Sequence, residues 1–193
     1  MWYTFLCYEF HKERIETVGN VTLIGMPGSG KSTVGVLLAK ALGFGFLDTD
    51  LVIQQREEAL LQAILDEKGV PYFLDAEERA VRSVDCDRHV IAPGGSVVCR
   101  EGAMAHLAAM GPVIYLRVPL EELKVRIHNL DSRGIALEPG QTLEDILTLR
   151  APLYEKYAGA VVDAAPGQTT AQTVSLVLEQ VERLAPQLLT PVK

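Results

Sequence analysis

Cysteine is scarce in this 193-residue chain, and its three positions form no recognisable pattern. Cys7, Cys86 and Cys99 are odd in number and lack the paired spacing of metal ligands, and the four histidines are equally scattered. These features disfavour a disulfide framework and a zinc site built on paired cysteines. We therefore expect reduced thiols in a reducing compartment.

Long apolar runs and an excess of positive charge are also missing. No apolar stretch reaches the roughly eighteen residues that a membrane-spanning helix needs, and residues 1–6 have no basic region typical of a secretion signal. The net charge of −7 disfavours nonspecific binding to nucleic acid or to an anionic membrane. We expect a cytoplasmic protein with neither kind of partner.

The overall composition, with 48% hydrophobic and 22% charged residues, is typical of a globular protein. A chain of this length fits one domain with a substantial core. Residues 1–19 are interpreted as an N-terminal extension, with 5–10 either an edge strand or a surface tail. Residues 20–193 are predicted to form the single domain, and we expect a monomer.

From residue 20 onward, apolar strand-like runs alternate with amphipathic stretches, which predicts a parallel α/β sheet. The candidate strands are 21–25, 44–47, 89–92, 112–117 and 160–163. The candidate helices are 31–42, 51–67, 71–85, 100–109, 119–128, 142–157 and 169–184. Segment 131–141 has two glycines, a proline and few bulky apolar residues, so it is predicted to be a lid loop.

The most informative motif is a glycine-rich loop that follows the apolar stretch 21–24, namely Gly25-Met26-Pro27-Gly28-Ser29-Gly30-Lys31-Ser32. Its spacing is that of a phosphate-binding loop between a strand and a helix. Glycines let successive N–H groups point at phosphate oxygens, and the helix dipole adds positive potential. Lys31 is expected to contact the β- and γ-phosphates, and the Ser32 hydroxyl to ligate Mg²⁺. The candidate nucleotide-binding residues in this motif are Gly28, Ser29, Gly30, Lys31, Ser32 and Thr33.

An acidic motif, Asp48-Thr49-Asp50, follows the second candidate strand. Side chains alternate along a strand, so both carboxylates should point the same way at the sheet edge where ligands bind in α/β folds. We expect Asp48 to hold Mg²⁺ through water beside Ser32. Asp50, with an ordinary pKa near 4, is expected to be ionised and to orient and deprotonate an attacking hydroxyl. The alternative is that Asp50 only caps the helix predicted to begin at residue 51.

The order and spacing of these motifs resemble the shikimate kinase family from residue 21 to about residue 184. The matching segments are 25–33, 48–50, Val90-Ile91-Ala92-Pro93-Gly94-Gly95-Ser96, Arg133 and Leu149-Arg150-Ala151-Pro152-Leu153-Tyr154. The resemblance implies a nucleoside-monophosphate-kinase-like three-layer fold with a five-stranded parallel sheet, a substrate-binding subdomain and a lid. It also implies an enzyme of amino-acid biosynthesis that transfers phosphate from ATP, with Mg²⁺, to a small hydroxyl-bearing metabolite.

The same resemblance implies roles for further residues. Arg133 matches a lid arginine that closes onto the transferring phosphate, and with Lys31 and Asp50 it completes the expected catalytic set. Arg126 matches an arginine that flanks the adenine, and Arg150 a guanidinium that grips the acceptor's carboxylate. Two glycines match residues that line the acceptor pocket, namely Gly94 and Gly95.

The sequence departs from the family pattern at the acceptor site. Leu74 stands where the family has an arginine that helps bind the carboxylate, and Ser96 stands where it has a third glycine. Glu77, on the same helical face as Leu74, therefore lacks its neighbouring cation and is predicted to bind an ammonium group. The acceptor would then be a hydroxy-amino acid such as homoserine, with its carboxylate on Arg150.

Other interpretations remain open at this point. Glu77 and Glu78 would instead form a solvated helix face, with Arg79 or Arg82 replacing the lost arginine. The altered acceptor segment also fits a non-catalytic nucleotide-binding regulatory module, although the retained candidate base and lid arginine oppose it. A nucleotide or gluconate kinase on the same fold is disfavoured by the placement of the motif at 48–50 and by segment 149–154.

Removal of the Arg133 guanidinium should slow phosphoryl transfer, because it is expected to deliver positive charge to the equatorial phosphate oxygens. By analogy with arginine fingers, Arg133→Ala should lower kcat by roughly a thousandfold or more. Single-turnover transfer measured by rapid quench checks this, with thermal melting as a control for folding. A folded variant with the wild-type rate would contradict the assignment.

Overall fold

The computed structural model of the chain describes residues 19–127, 134–138 and 140–189. The predicted N-terminal extension, apart from its last residue, lies outside the described residues. So does Arg133, together with the first part of the predicted lid. The expectations for these segments therefore stay predictions.

Five short parallel strands form one sheet at the centre of the fold. The strands are β1 (Val21–Ile24), β2 (Gly45–Asp48), β3 (His89–Ala92), β4 (Val113–Arg117) and β5 (Ala160–Asp163). Their order in the sheet is β2-β3-β1-β4-β5, so β1 is central and every one of its residues is buried. The predicted parallel α/β sheet is confirmed, with strand bounds that differ by a residue or so.

Seven α-helices connect and cover the strands within the described part of the chain. They are α1 (Lys31–Leu42), α2 (Thr49–Glu57), α3 (Leu61–Arg82), α4 (Glu101–Met110), α5 (Leu120–Arg126), α6 (Leu143–Tyr157) and α7 (Thr170–Leu184). Short 3₁₀ helices follow β3 and α7, at Val97–Cys99 and Pro186–Leu189.

Alternation along the strands creates the three layers. In β4, Val113 and Tyr115 pack with residues of α3, α4 and α6, whereas Ile114 and Leu116 pack with residues of α1 and α7. Because successive strand side chains point to opposite faces, each face of the sheet has its own apolar layer. A third apolar cluster joins α2 to α3, outside the sheet, and includes Ile53, Ile64 and Phe73. This cluster supports the α2–α3 unit on which part of the candidate site is built.

The single helix predicted over 51–67 is wrong, because the structure has two helices there. The first, α2, begins at Thr49 and ends at Glu57, and Glu58 adopts a left-handed conformation (φ 50°) that ends it. The second, α3, contains a break at Gly69 (φ 78°, ψ 170°) before it continues to Arg82. Pro71 follows the break in the first turn of the continued helix, where its missing N–H costs little.

The buried side chain of Asn20 joins the start of β1 to the segment that leads into β3. It is 2% exposed, donates to the Cys86 carbonyl at 2.8 Å and accepts from the His89 N–H at 2.8 Å. Asn20→Ala would leave both backbone groups without this partner, and should lower the free energy of unfolding by about 1–3 kcal/mol.

Urea denaturation measures this change. Gln55→Ala, on the exposed side of α2, serves as the control and should change stability by less than about 0.5 kcal/mol. Equal stabilities for Asn20→Ala and wild type would contradict the structural role of these bonds.

Candidate active site

The predicted phosphate-binding loop connects β1 to α1 at the carboxyl edge of the central strand. Gly25 has φ 151° and Gly28 has φ 77°, conformations that L side chains rarely adopt. A Cβ at Gly25 would lie 2.7 Å from the Leu116 carbonyl oxygen, and one at Gly28 would lie 2.6 Å from the Ile127 side chain. The backbone of the loop therefore requires glycine at these two positions.

The Lys31 ammonium lies inside the curve of this loop. It donates to the Gly25 carbonyl at 2.9 Å and to the Met26 carbonyl at 3.1 Å. Burial lowers the pKa of Lys31 to about 8, while nearby carboxylates, Asp50 foremost, act in the opposite direction. The ammonium thus stays mostly protonated at neutral pH, next to the place where phosphate oxygens would bind.

Asp48 organises the junction between β2, α2 and the phosphate loop. Its Oδ2 accepts a hydrogen bond from the Ser32 hydroxyl at 2.8 Å, and its Oδ1 accepts from the Asp50 N–H at 3.0 Å. Asp48 is therefore the N-cap of α2, and the alternative that Asp50 serves as the cap is wrong. A hydroxyl and a carboxylate are oxygen ligands of the kind Mg²⁺ prefers, so Ser32 and Asp48 fit the predicted magnesium site.

Asp50 lies in the first turn of α2 and faces the cavity next to the phosphate loop. Burial, together with the neighbouring Asp48 carboxylate, raises the pKa of Asp50 to about 6, although Lys31 acts in the opposite direction. The ordinary pKa expected from the sequence is therefore wrong, because the sequence does not reveal this burial. A carboxyl with a pKa near 6 is well suited to accept a proton at neutral pH.

One cavity of about 620 Å³ brings the candidate residues together. Every predicted site residue that the structure describes lines it, namely Gly28, Ser29, Gly30, Lys31, Ser32, Thr33, Asp48, Asp50, Glu77, Gly94, Gly95, Arg126 and Arg150. The sequence interpretation did not single out several other lining residues, namely Phe73, Ile135, Ala136, Gln168, Thr170 and Thr173. Thr170 and Thr173 lie at the start of the helix predicted over 169–184, and the capping box at Thr169 and Gln172 marks that start, but its role in lining the cavity was not predicted. An apolar Phe73 carries no sequence signal of this kind.

Glu77, on α3, is completely buried at 0% exposure, so the interpretation of a solvated helix face is wrong for it. Neither of its carboxylate oxygens has a hydrogen-bond partner of normal geometry among the described residues. Burial raises the pKa of Glu77 to about 7, and the nearby Ser96 hydroxyl acts in the opposite direction. A Cβ at Gly94 would collide with Glu77 Oε1 and lie 2.9 Å from Asp50 Oδ1, so this glycine leaves space between two carboxylates.

Arg150 extends from α6 into the same cavity and is 6% exposed. Its Nη2 donates to the Ala136 carbonyl at 2.7 Å, while its Nη1 has no partner within the described part of the chain. One helical turn later, the buried Tyr154 hydroxyl donates to the Gly95 carbonyl. Helix α6 therefore positions both a guanidinium and the backbone of the Gly94–Gly95 turn.

Comparison with known proteins agrees with this arrangement. The family model for shikimate kinase matches residues 27–182. The chain belongs to the shikimate kinase family. A shikimate kinase of Pseudomonas paraeruginosa is 38% identical over 174 residues, which cover 87% of this chain and 99% of that protein.

Solved structures of the family have the same fold. The shikimate kinase of Acinetobacter baumannii, in complex with shikimate, superposes with a TM-score of 0.78 at 29% identity, covering 87% of this chain and 95% of that one. The Aquifex aeolicus shikimate kinase gives a TM-score of 0.72 at 27% identity, covering 84% and 96%. The chain is therefore a small-molecule kinase, and the alternative of a non-catalytic regulatory module is not supported.

The structure also locates the departures from the shikimate kinase pattern. Leu74 is half-buried against the α2–α3 cluster and does not line the cavity. Arg79 pairs with Glu57 at 3.3 Å and Arg82 pairs with Glu78 at 3.9 Å, and neither lines the cavity. The proposed replacement of the missing arginine by Arg79 or Arg82 therefore finds no support.

Among residues 19–127, 134–138 and 140–189, no group of three or more His, Cys, Asp or Glu side chains could hold a metal ion. None of the helices in these ranges is long and apolar enough to cross a membrane.

The raised pKa of Asp50 predicts how kcat/KM depends on pH on the acid side. A protonated Asp50 cannot accept a proton from the acceptor hydroxyl, so kcat/KM should fall about tenfold per pH unit below pH 6. Infrared difference titration of wild type against Asp50→Asn assigns the carboxyl, because Glu77 titrates in the same range. An Asp50 band that titrates near pH 4 would contradict this environment.

Proposed function

We propose that this protein transfers the γ-phosphoryl group of Mg²⁺-bound ATP to a hydroxyl of a small hydroxy acid, as the name of its shikimate kinase relatives indicates. The reaction would belong to amino-acid biosynthesis in the cytoplasm. The observation that carries the proposal is the position of Asp50, which faces the cavity lined by Lys31 and the phosphate loop.

The phosphate loop and its surroundings account for nucleotide binding. Backbone N–H groups of the loop and the start of α1 are suited to bind the phosphates, and Lys31 would neutralise charge on the β- and γ-phosphates. Ser32, and Asp48 through water, would hold Mg²⁺, which neutralises phosphate charge when bound. Arg126 lines the same cavity and would flank the adenine.

The chemical step needs a base and a positively charged environment. The acceptor hydroxyl oxygen forms a bond to the γ-phosphorus while the bond from that phosphorus to the bridging oxygen of ADP breaks. The hydroxyl proton passes to the Asp50 carboxylate and then to water. Lys31 stabilises the transferring group, and Arg133 from the lid is proposed to do the same.

The acceptor's carboxylate would bind Arg150. Arg150 lines a cavity that Gly94 and Gly95 also line; its Nη2 is anchored on Ala136, and its Nη1 has no hydrogen-bond partner among the described residues. A guanidinium held by one fixed hydrogen bond is pre-organised, so less conformational entropy is lost when the carboxylate binds. This assignment puts the acceptor next to Asp50, on the side of Gly94.

Asp50→Asn tests the proposed base. The amide keeps the shape of the side chain but cannot accept the proton, so kcat should fall by about 10²–10⁴-fold, with the Kd for Mg·ATP little changed. ADP release with Mg·ATP and shikimate, homoserine or gluconate measures turnover, and calorimetric titration measures binding.

The matched control is Asp85→Asn, an exposed aspartate outside the cavity, which should keep wild-type kinetics. Wild-type turnover in Asp50→Asn would remove Asp50 from the mechanism. The absence of acceptor-dependent ADP release from the wild-type enzyme with every acceptor would contradict the proposed function itself.

A further inference from the structure

We propose that the acceptor of this enzyme is a small hydroxy-amino acid, with its ammonium group bound by Glu77 and its carboxylate by Arg150. The inference rests on the proposed function, because it names the class of alcohol that receives the phosphate. It distinguishes this chain from kinases whose acceptor is a hydroxy acid without nitrogen.

The first observation is the isolation of Glu77. Its side chain is fully buried, and neither oxygen has a hydrogen-bond partner of normal geometry among the described residues, although the Ser96 hydroxyl is near enough to act on it. Leaving a buried carboxylate unpaired is costly, so such groups in proteins have a cationic or hydrogen-bonding partner. Glu77 borders the cavity, and its covered carboxylate is the group that an ammonium bound there would approach.

The second observation is that the nearby cationic side chains are not paired with Glu77. Arg150 and Lys31 are near enough for their charges to act on it, but neither forms an ion pair with it. Lys31 is hydrogen-bonded to the phosphate loop and Arg150 to the Ala136 carbonyl. Leu74, three residues before Glu77 on α3, is apolar and packs in the α2–α3 cluster, so it supplies no cation.

The remaining arginines near this part of α3 have acidic partners of their own. Arg100 pairs with Asp75 at 2.5 Å, and Arg79 and Arg82 pair with Glu57 and Glu78. Within the part of the chain that the structure describes, no protein cation is therefore in place to pair with Glu77.

The charges on the acceptor side favour a zwitterion. Two carboxylates, Asp50 and Glu77, face this region together with the guanidinium of Arg150. An acceptor that carries only a carboxylate would use Arg150 and leave Glu77 without a cationic partner. An acceptor with both a carboxylate and an ammonium would pair each charged group with one of opposite sign.

The geometry also limits the size of the acceptor. Glu77 Oε1 and Asp50 Oδ1 both lie within 2.9 Å of the point where a Cβ of Gly94 would be. An ammonium on Glu77 and a hydroxyl on Asp50 must therefore be joined by a short linker. The two or three carbons between these groups in serine-like and homoserine-like molecules satisfy this limit.

A matched pair of acceptors isolates the ammonium group. Homoserine and 4-hydroxybutyrate have the same carbon chain, hydroxyl and carboxylate, and differ only at the α-nitrogen. Because breaking a buried ion pair is strongly unfavourable, wild-type kcat/KM for homoserine should exceed that for 4-hydroxybutyrate by about a hundredfold or more. Phosphorylated product is measured directly, with shikimate as a third acceptor.

Glu77→Gln removes the charge and keeps the shape, so it should reduce the preference for homoserine over 4-hydroxybutyrate to within about tenfold. The matched control is Glu78→Gln, the adjacent residue on α3, which lies outside the cavity and should keep the wild-type preference. An unchanged preference in Glu77→Gln would overturn the assignment of Glu77.

The outcomes separate the two proposals. Transfer to shikimate with none to homoserine, or equal use of homoserine and 4-hydroxybutyrate, overturns this inference and leaves the proposed function standing. If no acceptor is phosphorylated, the proposed function fails, and calorimetric titration in the presence of a non-hydrolysable Mg·ATP analogue then decides the inference. Binding of homoserine with no binding of 4-hydroxybutyrate supports it, and equal or absent binding overturns it.

Discussion

The Lys31 ammonium, held by the Gly25 and Met26 carbonyls inside the loop between β1 and α1, is the interaction on which the rest of the site depends. It places a buried positive charge at the carboxyl edge of the central strand. The carboxylates around it, Asp48 and Asp50 among them, partly offset the cost of that burial. The same set of opposite charges defines where phosphate, metal and acceptor hydroxyl would meet.

Much of this arrangement follows from local sequence patterns. The strand positions, the loop from Gly25 to Ser32 and the pair Asp48 and Asp50 could be predicted, because hydrophobic alternation and glycine spacing reflect local geometry. The parallel sheet then brings the carboxyl ends of β1, β2 and β3 to one edge. Every described residue of the predicted site does line one cavity.

Other features depend on tertiary contacts that no local pattern encodes. Helix α2 ends because Glu58 adopts a left-handed conformation, which glutamate rarely does. The sequence has no signal for this stop, so it predicted a longer helix. The raised pKa of Asp50 and the isolation of Glu77 arise from burial between separate segments of the chain. The packing of the Leu74 side chain against the α2–α3 cluster, and the ion pair of Arg79 with Glu57, could likewise be found only from the folded structure.

The proposed acceptor site illustrates how one fold could keep its chemistry and change its substrate. The described residues proposed to bind the nucleotide all line one cavity, whereas the buried Glu77 has no cation paired with it in the described part of the chain. Discrimination by an unpaired buried polar group is strong, because the wrong ligand leaves that group without a partner. The unpaired carboxyl of Glu77 would therefore be enough to determine which alcohol binds well.

The most direct test is a crystal structure of the protein with Mg²⁺, a non-hydrolysable ATP analogue and homoserine. The account predicts the triphosphate inside the loop at Lys31, with the homoserine hydroxyl on Asp50 in line with the γ-phosphorus and the ammonium on Glu77. A triphosphate bound outside this loop, or an Asp50 carboxylate turned away from the acceptor hydroxyl, would contradict it.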